Sequence, residues 1–483
     1  MTLALNPKHS RPLDVHRWSE HPRVREVTEK IWELGAFQPY RNPAGRGPKP
    51  KRRFKDQLHV LVLDLYVAWK TDPTLSIGVR MRRGGWKTNS RYNALHLSNV
   101  IPELVHALEQ EGLIVLSKGS YSGPNSRGNR TSRIISARPL QEMFEGVQVP
   151  VQYLEAPAEQ ELVVLRDAEG KDIEYEDTPE IVRTRDHLRS YNELLWSTFI
   201  DCPGLEDPRV EIDITDGPLA GTTKLLPVGG RDFCVRRVFS RSSWRLNGRL
   251  YGGWWQQLPK AYRRQIHIDD SPTVEVDFRG LHVAILSKEK GVLLEGDPYD
   301  VGALAFPEEC EDQRSLLKLL VLTAINASNE NAAFSSFRST HPTGHPAKKL
   351  TNDQLRYALG LFVRKHPQLE DCLCSDQGIR LMFEDSEIAF NLVCHLYQDG
   401  IVVLPIHDSF IVQSQHLDRL LGFMDDTTTY LTGTPFPTTI ERGEIFPDPL
   451  YDEVLPGQRE RTQGYHDRYE TFLNRDSWKE GIY

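Results

Sequence analysis

Apolar residues fall into two rhythms along this chain. Spacing of three and four recurs in DQLHVLVLDLYVAW (56–69), LSNVIPELVHALEQEG (97–112), PEIVRTRDHLRSYNELLWSTFI (179–200) and EDQRSLLKLLVLTAINAS (311–328), and predicts a helix over each. Gly112 stops the second of them. Alternation of polar and apolar residues in TVEVDF (273–278) predicts a strand, and the apolar LHVAIL (281–286) that follows reads as a helix. GIVVLPIHDSFIVQ (400–413) reads as strand, tight turn, strand, with His407 and Asp408 at the tip. LIVLSK (113–118) and RIISAR (133–138) predict two more strands around a Gly-, Ser-, Asn- and Arg-rich loop at 120–132.

Composition narrows the class. The chain has 483 residues, 39% hydrophobic and 26% charged, ordinary for a globular protein of about three domains. No apolar run reaches the roughly 18 residues of a membrane span. The start, MTLALNPKHSRP, lacks a basic segment followed by an apolar run, so secretion is not expected. Six Cys make no disulfide framework, and Cys372 and Cys374 form a lone C-x-C; a reducing cytoplasm fits. The net charge of −8 hides an asymmetry. Residues 1–140 hold 24 Lys and Arg against 11 Asp and Glu, while the remainder is strongly acidic. A basic module on an acidic body is a common way to bring nucleic acid to an enzyme, although basic tails are often simply solvated.

Two acids draw the chemistry together. Asp277 ends one predicted strand and Asp408 sits on the hairpin tip, so one antiparallel sheet can bring them side by side. Two carboxylates ~4 Å apart repel by about 4 kcal/mol at an effective dielectric of about 20. A divalent cation relieves that repulsion, and hard oxygen donors suit magnesium. Arg314 and Lys318 lie four apart, hence on one face of their helix, where they can grip a polyphosphate. Taken singly, a strand-end Asp is ordinarily a turn former, a His-Asp pair a surface turn, and a cationic helix face a solvated one.

Their joint order resembles the palm and fingers of family A DNA polymerases and the related single-subunit phage-type RNA polymerases. Asp277 in DFRGLH resembles the motif D-[YF]-S-x-[IL]-[EH]. Arg314, Lys318 and Asn326 follow the fingers-helix pattern R-x-x-x-K-x-x-x-x-x-x-x-[YF]-G, and Asp408 in HDSF resembles H-D-[ES]. NGRLYGGWWQQLPKAYRR (247–264) is similar to the T-G-R-L-S stretch and the Q-N-[IL]-P that follows it, which would carry over Arg249, Gln256 and Arg264. RLMFEDSEIAFNLV (380–393) lies where the family has Q-G-T-A-A-D, with a weak match. The resemblance covers about residues 240–415. It departs at Asn326 and Ala327, where the family has Tyr or Phe and then Gly, and at His282, where the DNA enzymes have Glu. Ser409 is what the RNA enzymes carry. The 90 residues from Lys318 to Asp408 imply trimmed fingers, and no segment suggests a proofreading nuclease.

The resemblance implies an α+β fold: a polymerase palm of antiparallel sheet and helices with reduced fingers, behind a module that resembles a winged helix-turn-helix. The expected divisions are a basic extended arm (1–52, with one short helix near Arg23–Leu34), a winged-helix DNA-binding domain (53–140), a connector and thumb-like helical region (141–240), a palm and fingers catalytic domain (241–450) and a peripheral tail (451–483). In the winged module a helix would enter the major groove and the wing would touch backbone. Implied chemistry is template-directed nucleotidyl transfer with two Mg²⁺, or Mn²⁺ in their place, held by Asp277 and Asp408 with the Phe278 carbonyl. Lys318 and Arg314 would bind the β/γ-phosphates, and Lys318 would protonate the leaving group. Asn326 and His282 would face the nucleotide; Arg249, Gln256, Arg264 and His407 would face primer and template. Expected partners are DNA and nucleoside triphosphates, with no membrane. The architecture suggests replication or priming in a prophage or mobile element. Alternatives are a small RNA polymerase or primase, template-independent nucleotide addition, and a non-catalytic winged-helix regulator with a relic palm.

Overall fold

The apolar run at 58–68 has two polar residues within it, His59 and Asp64, and these decide how the amino-terminal region folds. The computed structural model describes residues 9–41, 50–82, 84–123, 129–147, 149, 159–214, 222–230 and 233–476. Its first elements are β1 (Ser10–Pro12), α1 (Pro22–Trp32), α2 (Gln38–Arg41), α3 (Phe54–Thr71), β2 (Ser76–Val79), α4 (Ile101–Gln110), β3 (Ile114–Ser117), β4 (Ser132–Ser136) and α5 (Arg138–Glu145). His59 and Asp64 are both fully buried in α3. An unpaired charge there would cost several kcal/mol, so partners must be brought in. Arg11 grips Asp64 with both Nη atoms at 2.8 and 2.6 Å, Arg17 Nε adds a contact at 3.0 Å, and the Asp14 amide donates at 3.0 Å. His59 lies 2.7 Å from Thr28 Oγ1 and 2.9 Å from the Ser19 carbonyl.

Those contacts correct the expected arm. Residues 9–41 are not extended: Leu13, Val24, Ile31, Trp32 and Phe37 join α3, α4 and α5 in one hydrophobic core that reaches Val149. The ends of the arm at 1–8 and 42–49, and the centre of the wing loop at 124–128, lie outside the described residues. The strands form a sheet in the order β1-β2-β4-β3, with β1 parallel to β2 and the other pairs antiparallel. The described residues between β2 and α4, 80–82 and 84–100, form turns and bends rather than helix. The outward face of α4 carries Glu103, His106, Glu109 and Gln110, without Lys or Arg. A helix with that face repels phosphates, so α4 is a poor major-groove reader; exposed cations lie instead at Arg80, Arg82 and Lys87.

The body continues with β5 (Val163–Leu165), α6 (Pro179–Ser197), β6 (Ile200–Asp201), β7 (Arg209–Ile214), β8 (Thr222–Pro227), β9 (Arg236–Ser240), β10 (Ser243–Tyr251), α7 (Lys260–Arg263), β11 (His267–Ile268), β12 (Ser271–Phe278) and α8 (Leu281–Glu289). Four longer helices follow, α9 (Gln313–Asn326), α10 (Glu330–Ser339), α11 (Asn352–Lys365) and α12 (Gly378–Gln398), then β13 (Val403–Ile406), β14 (Ser409–Gln413), α13 (Leu417–Thr432), β15 (Thr438–Arg442) and α14 (Gln463–Leu473). The fold is α+β. A six-stranded sheet has β12 antiparallel to β14 on one edge and to β15 on the other, with β13 beyond β14 and β11 and β6 at the far end. Helices α8, α9 and α12 bury their apolar faces with this sheet in a second core spanning Leu162–Phe436.

Two further expectations change. Among its described residues the stretch 141–240 holds one long helix, α6, and is not a helical thumb: α5 belongs to the first core, β5 pairs in parallel with β9, and Tyr191 of α6 donates to the Val403 carbonyl inside the second core. The described residues of the tail beyond 451 dock through α14. Arg468 pairs with buried Asp201 at 2.8 and 3.0 Å, and Tyr465, Tyr469 and Phe472 surround Phe199. Amino-terminal domain and body meet through Arg91, which reaches Asp177 at 2.9 Å and stacks 3.6 Å above Tyr175, and through Tyr92, whose hydroxyl donates to the Ile173 carbonyl.

Candidate active site

Strand register places the acids. Asp277 stands opposite Ser409 of β14 and opposite Thr439 of β15, so Asp408, one residue before Ser409, falls diagonally beside it. The turn between β13 and β14 is tight because His407 takes a left-handed backbone (φ 59°), uncommon outside glycine. The Phe278 amide donates to the Asp408 carbonyl at 3.4 Å and ties the two strand ends. Both acids line one cleft of about 340 Å³, and Lys318 and Arg314, one turn apart on α9, line it with them. Phe278, Gly280 and His407 also border it.

Electrostatics mark the pair as stressed. Burial first, and then repulsion from Asp408, push the Asp277 carboxyl up to about 7, against the pull of Lys318 and Lys260. Among the described residues neither carboxylate has a hydrogen-bond or ion-pair partner. Two such acids fit a hard divalent cation. No cluster of three or more potential ligands exists among the described residues. A cation held here would therefore take two carboxylates and fill its other positions with water, main-chain carbonyl or phosphate oxygens, as Mg²⁺ does.

Sequence reasoning missed a second layer of charge around the cleft. Glu275 lies two residues before Asp277, hence on the same face of β12, and stands opposite Glu441 of β15. Arg263 holds Glu275 at 3.1 and 2.8 Å, and the Ser409 hydroxyl donates to it at 2.9 Å. Lys260 and Arg264 hold Glu441, the latter at 3.5 Å. Arg279 donates to Thr439 Oγ1 at 3.0 Å. The period-two pattern of β12 could have exposed Glu275; the pairing with β15 leaves no local trace.

The other expected residues separate into groups. Arg314 is engaged by Asp297 and packs over Tyr299. Arg249 and His282 do not line the cleft; both bind Asp385 of α12, Arg249 Nε at 2.9 Å and His282 Nε2 at 2.8 Å. Asp385 is 1% exposed and falls in the weakly matching 380–393 segment, where no single residue stood out. His407 adjoins this group: burial, then Arg249, push its imidazole down, while Asp408 and Asp385 pull it up. Its ring meets Tyr251 edge-on at 5.9 Å.

Gln256 is consumed in bracing. Its amide nitrogen donates to the Leu250 and Pro405 carbonyls at 2.9 and 3.1 Å, and its oxygen accepts from Gly252. This corrects the expectation of a free primer-facing amide. Arg264 lies on the rim through Glu441. Asn326 is at the far end of α9, eight residues and about 12 Å past Lys318. Its amide donates to the Leu322 carbonyl and its side chain packs on Gly378, so it is not a cleft residue.

No protein-family model matches the sequence, and no curated protein matches it. Among solved structures the chain is similar to the POL domain of Pol1 from M. smegmatis, solved in complex with DNA primer-template and dNTP. The identity is 10%, 87% of this chain is covered, and the TM-score is 0.31. The chain spans about 64% of the length of that structure. A likeness this loose carries no argument about activity, so the functional reading rests on the cleft itself.

Proposed function

We propose that the protein is a template-directed nucleotidyltransferase of the DNA polymerase type. One observation carries this reading: two unpartnered carboxylates, Asp277 and Asp408, share a cleft with two cations set one helical turn apart. Asp277 and Asp408, with the Phe278 carbonyl, would hold the divalent cations. Such cations, when bound, neutralise a triphosphate and lower the pKa of a 3′-hydroxyl. The chain's own residues do the rest. Arg314 exchanges Asp297 for phosphate oxygens as a fork, and Lys318 faces the same phosphates as a point charge. Lys318 Nζ can deliver a proton to the leaving pyrophosphate. Arg263 and Ser409 hold Glu275 beside Asp277, and Asp385 fixes Arg249 and His282. The basic amino-terminal region supplies attraction for the nucleic-acid backbone.

A second reading, ribonucleotide polymerisation or priming, is favoured by Ser409, which stands where the DNA enzymes have a carboxylate. The experiment is extension of a primed and an unprimed template with Mg²⁺ and either dNTPs or rNTPs. Template-ordered dNTP addition is expected. Ordered rNTP addition selects the second reading, and no incorporation of either overturns both.

A further inference from the structure

A second cavity, of about 560 Å³, lies where the amino-terminal domain meets the body. Arg11, His16 and Arg17 form one wall; Phe233, Arg236 and Gln257 contribute to the other. Its charge is unbalanced. Arg11 and Arg17 share buried Asp64, and Asp14 pairs with Arg17 at 3.2 Å, so two carboxylates serve three guanidiniums. Among the described residues the Arg236 side chain has no hydrogen-bond or ion-pair partner, and its Nε is buried. The Nδ1 atom of His16 is likewise buried without a partner. Burial pushes that imidazole down to about 4, with Asp14 pulling up and Arg236 pushing down, so it is neutral at pH 7 and can donate from Nδ1 in one tautomer.

Buried donors left without acceptors cost free energy, most for a charged one. An anionic oxygen placed between Arg236 and His16 would satisfy both, within the field of the Arg11 and Arg17 pair. The space exceeds what one water needs and suits a small ligand, with Phe233 and Leu13 as apolar walls. We propose that this interdomain cavity binds a phosphate-bearing ligand, with Arg236 as its fork and His16 Nδ1 as a second donor. The phosphate could belong to a free nucleotide or to the 5′ end of a nucleic acid; the chemistry of recognition is shared.

The test uses the full-length protein in EDTA, which removes cation-dependent binding at the catalytic cleft. Calorimetric titration with inorganic pyrophosphate should show one site. Arg236→Ala should weaken it by about tenfold or more, while Lys318→Ala leaves it unchanged. Where Arg236→Ala lowers the melting temperature, His16→Phe takes its place and should weaken binding measurably. ADP, and a 5′-phosphorylated against a 5′-hydroxyl oligonucleotide, separate the two sources: the one whose advantage disappears in the cavity variant is the ligand class. The absence of binding in the wild type, unchanged binding in the cavity variants, or loss on Lys318→Ala overturns the proposal. Loss on Lys318→Ala would place the pyrophosphate in the Asp277 and Asp408 cleft instead; the other outcomes leave the reading of that cleft untouched.

Discussion

Asp385 shows how one side chain can organise a site without lining it. It is fully buried on α12, and its two oxygens answer Arg249 and His282 from two other elements. Removing one partner of a buried charge cluster costs about 3–5 kcal/mol, because the remaining charges stay desolvated. Asp385→Ala should therefore lower unfolding stability by about 3 kcal/mol in urea denaturation, as an uncompensated buried charge predicts. His59 acts similarly in the first core. Burial pushes it down to about 4 from an ordinary 6.5, so the unfolded chain binds its proton first as acid is added. Stability should be full above about pH 6.5 and fall steadily toward pH 4. His59→Gln should flatten that window in pH-dependent thermal melts; an unchanged slope would mean His59 does not titrate on unfolding.

At the scale of elements, the docking of α14 rests on Arg468 and Asp201. Burial dominates at Asp201 and raises its carboxyl, with Arg468 pulling it down. Arg468→Ala should cost about 3–5 kcal/mol and release α14, read as faster amide exchange over residues 463–473. A second element-scale prediction concerns nucleic-acid contact. Glu103→Gln on the acidic face of α4 should leave DNA affinity unchanged, whereas Arg80→Glu with Arg82→Glu should reduce the slope of log K against log salt by about 2. The elements carrying the cleft were legible because their signals are local: alternation for β12, apolar runs around a turn for the β13–β14 hairpin, helical spacing for α9. What was not legible depends on distant partners. Nothing near Arg11 or Arg17 announces Asp64, 53 and 47 residues away, so a folded segment read as an extended arm. Nothing near Glu441 announces its pairing with Glu275.

Over the whole molecule, two cores meet at charged contacts, and the cleft belongs to the second core alone. That arrangement predicts that binding of nucleic acid and transfer of nucleotides can be separated by substitution. Arg314→Ala, which removes a cation facing the phosphates, should raise the KM for nucleotide more than it changes DNA affinity. The most direct measurement is the rate of template-ordered primer extension by Asp408→Asn and Asp277→Asn beside the wild type, with DNA affinity followed by fluorescence anisotropy on the same samples. Each substitution should slow extension by roughly a thousandfold or more, while DNA affinity stays within about twofold. Extension by Asp408→Asn at the wild-type rate would contradict the assignment of these two acids as the chemical centre.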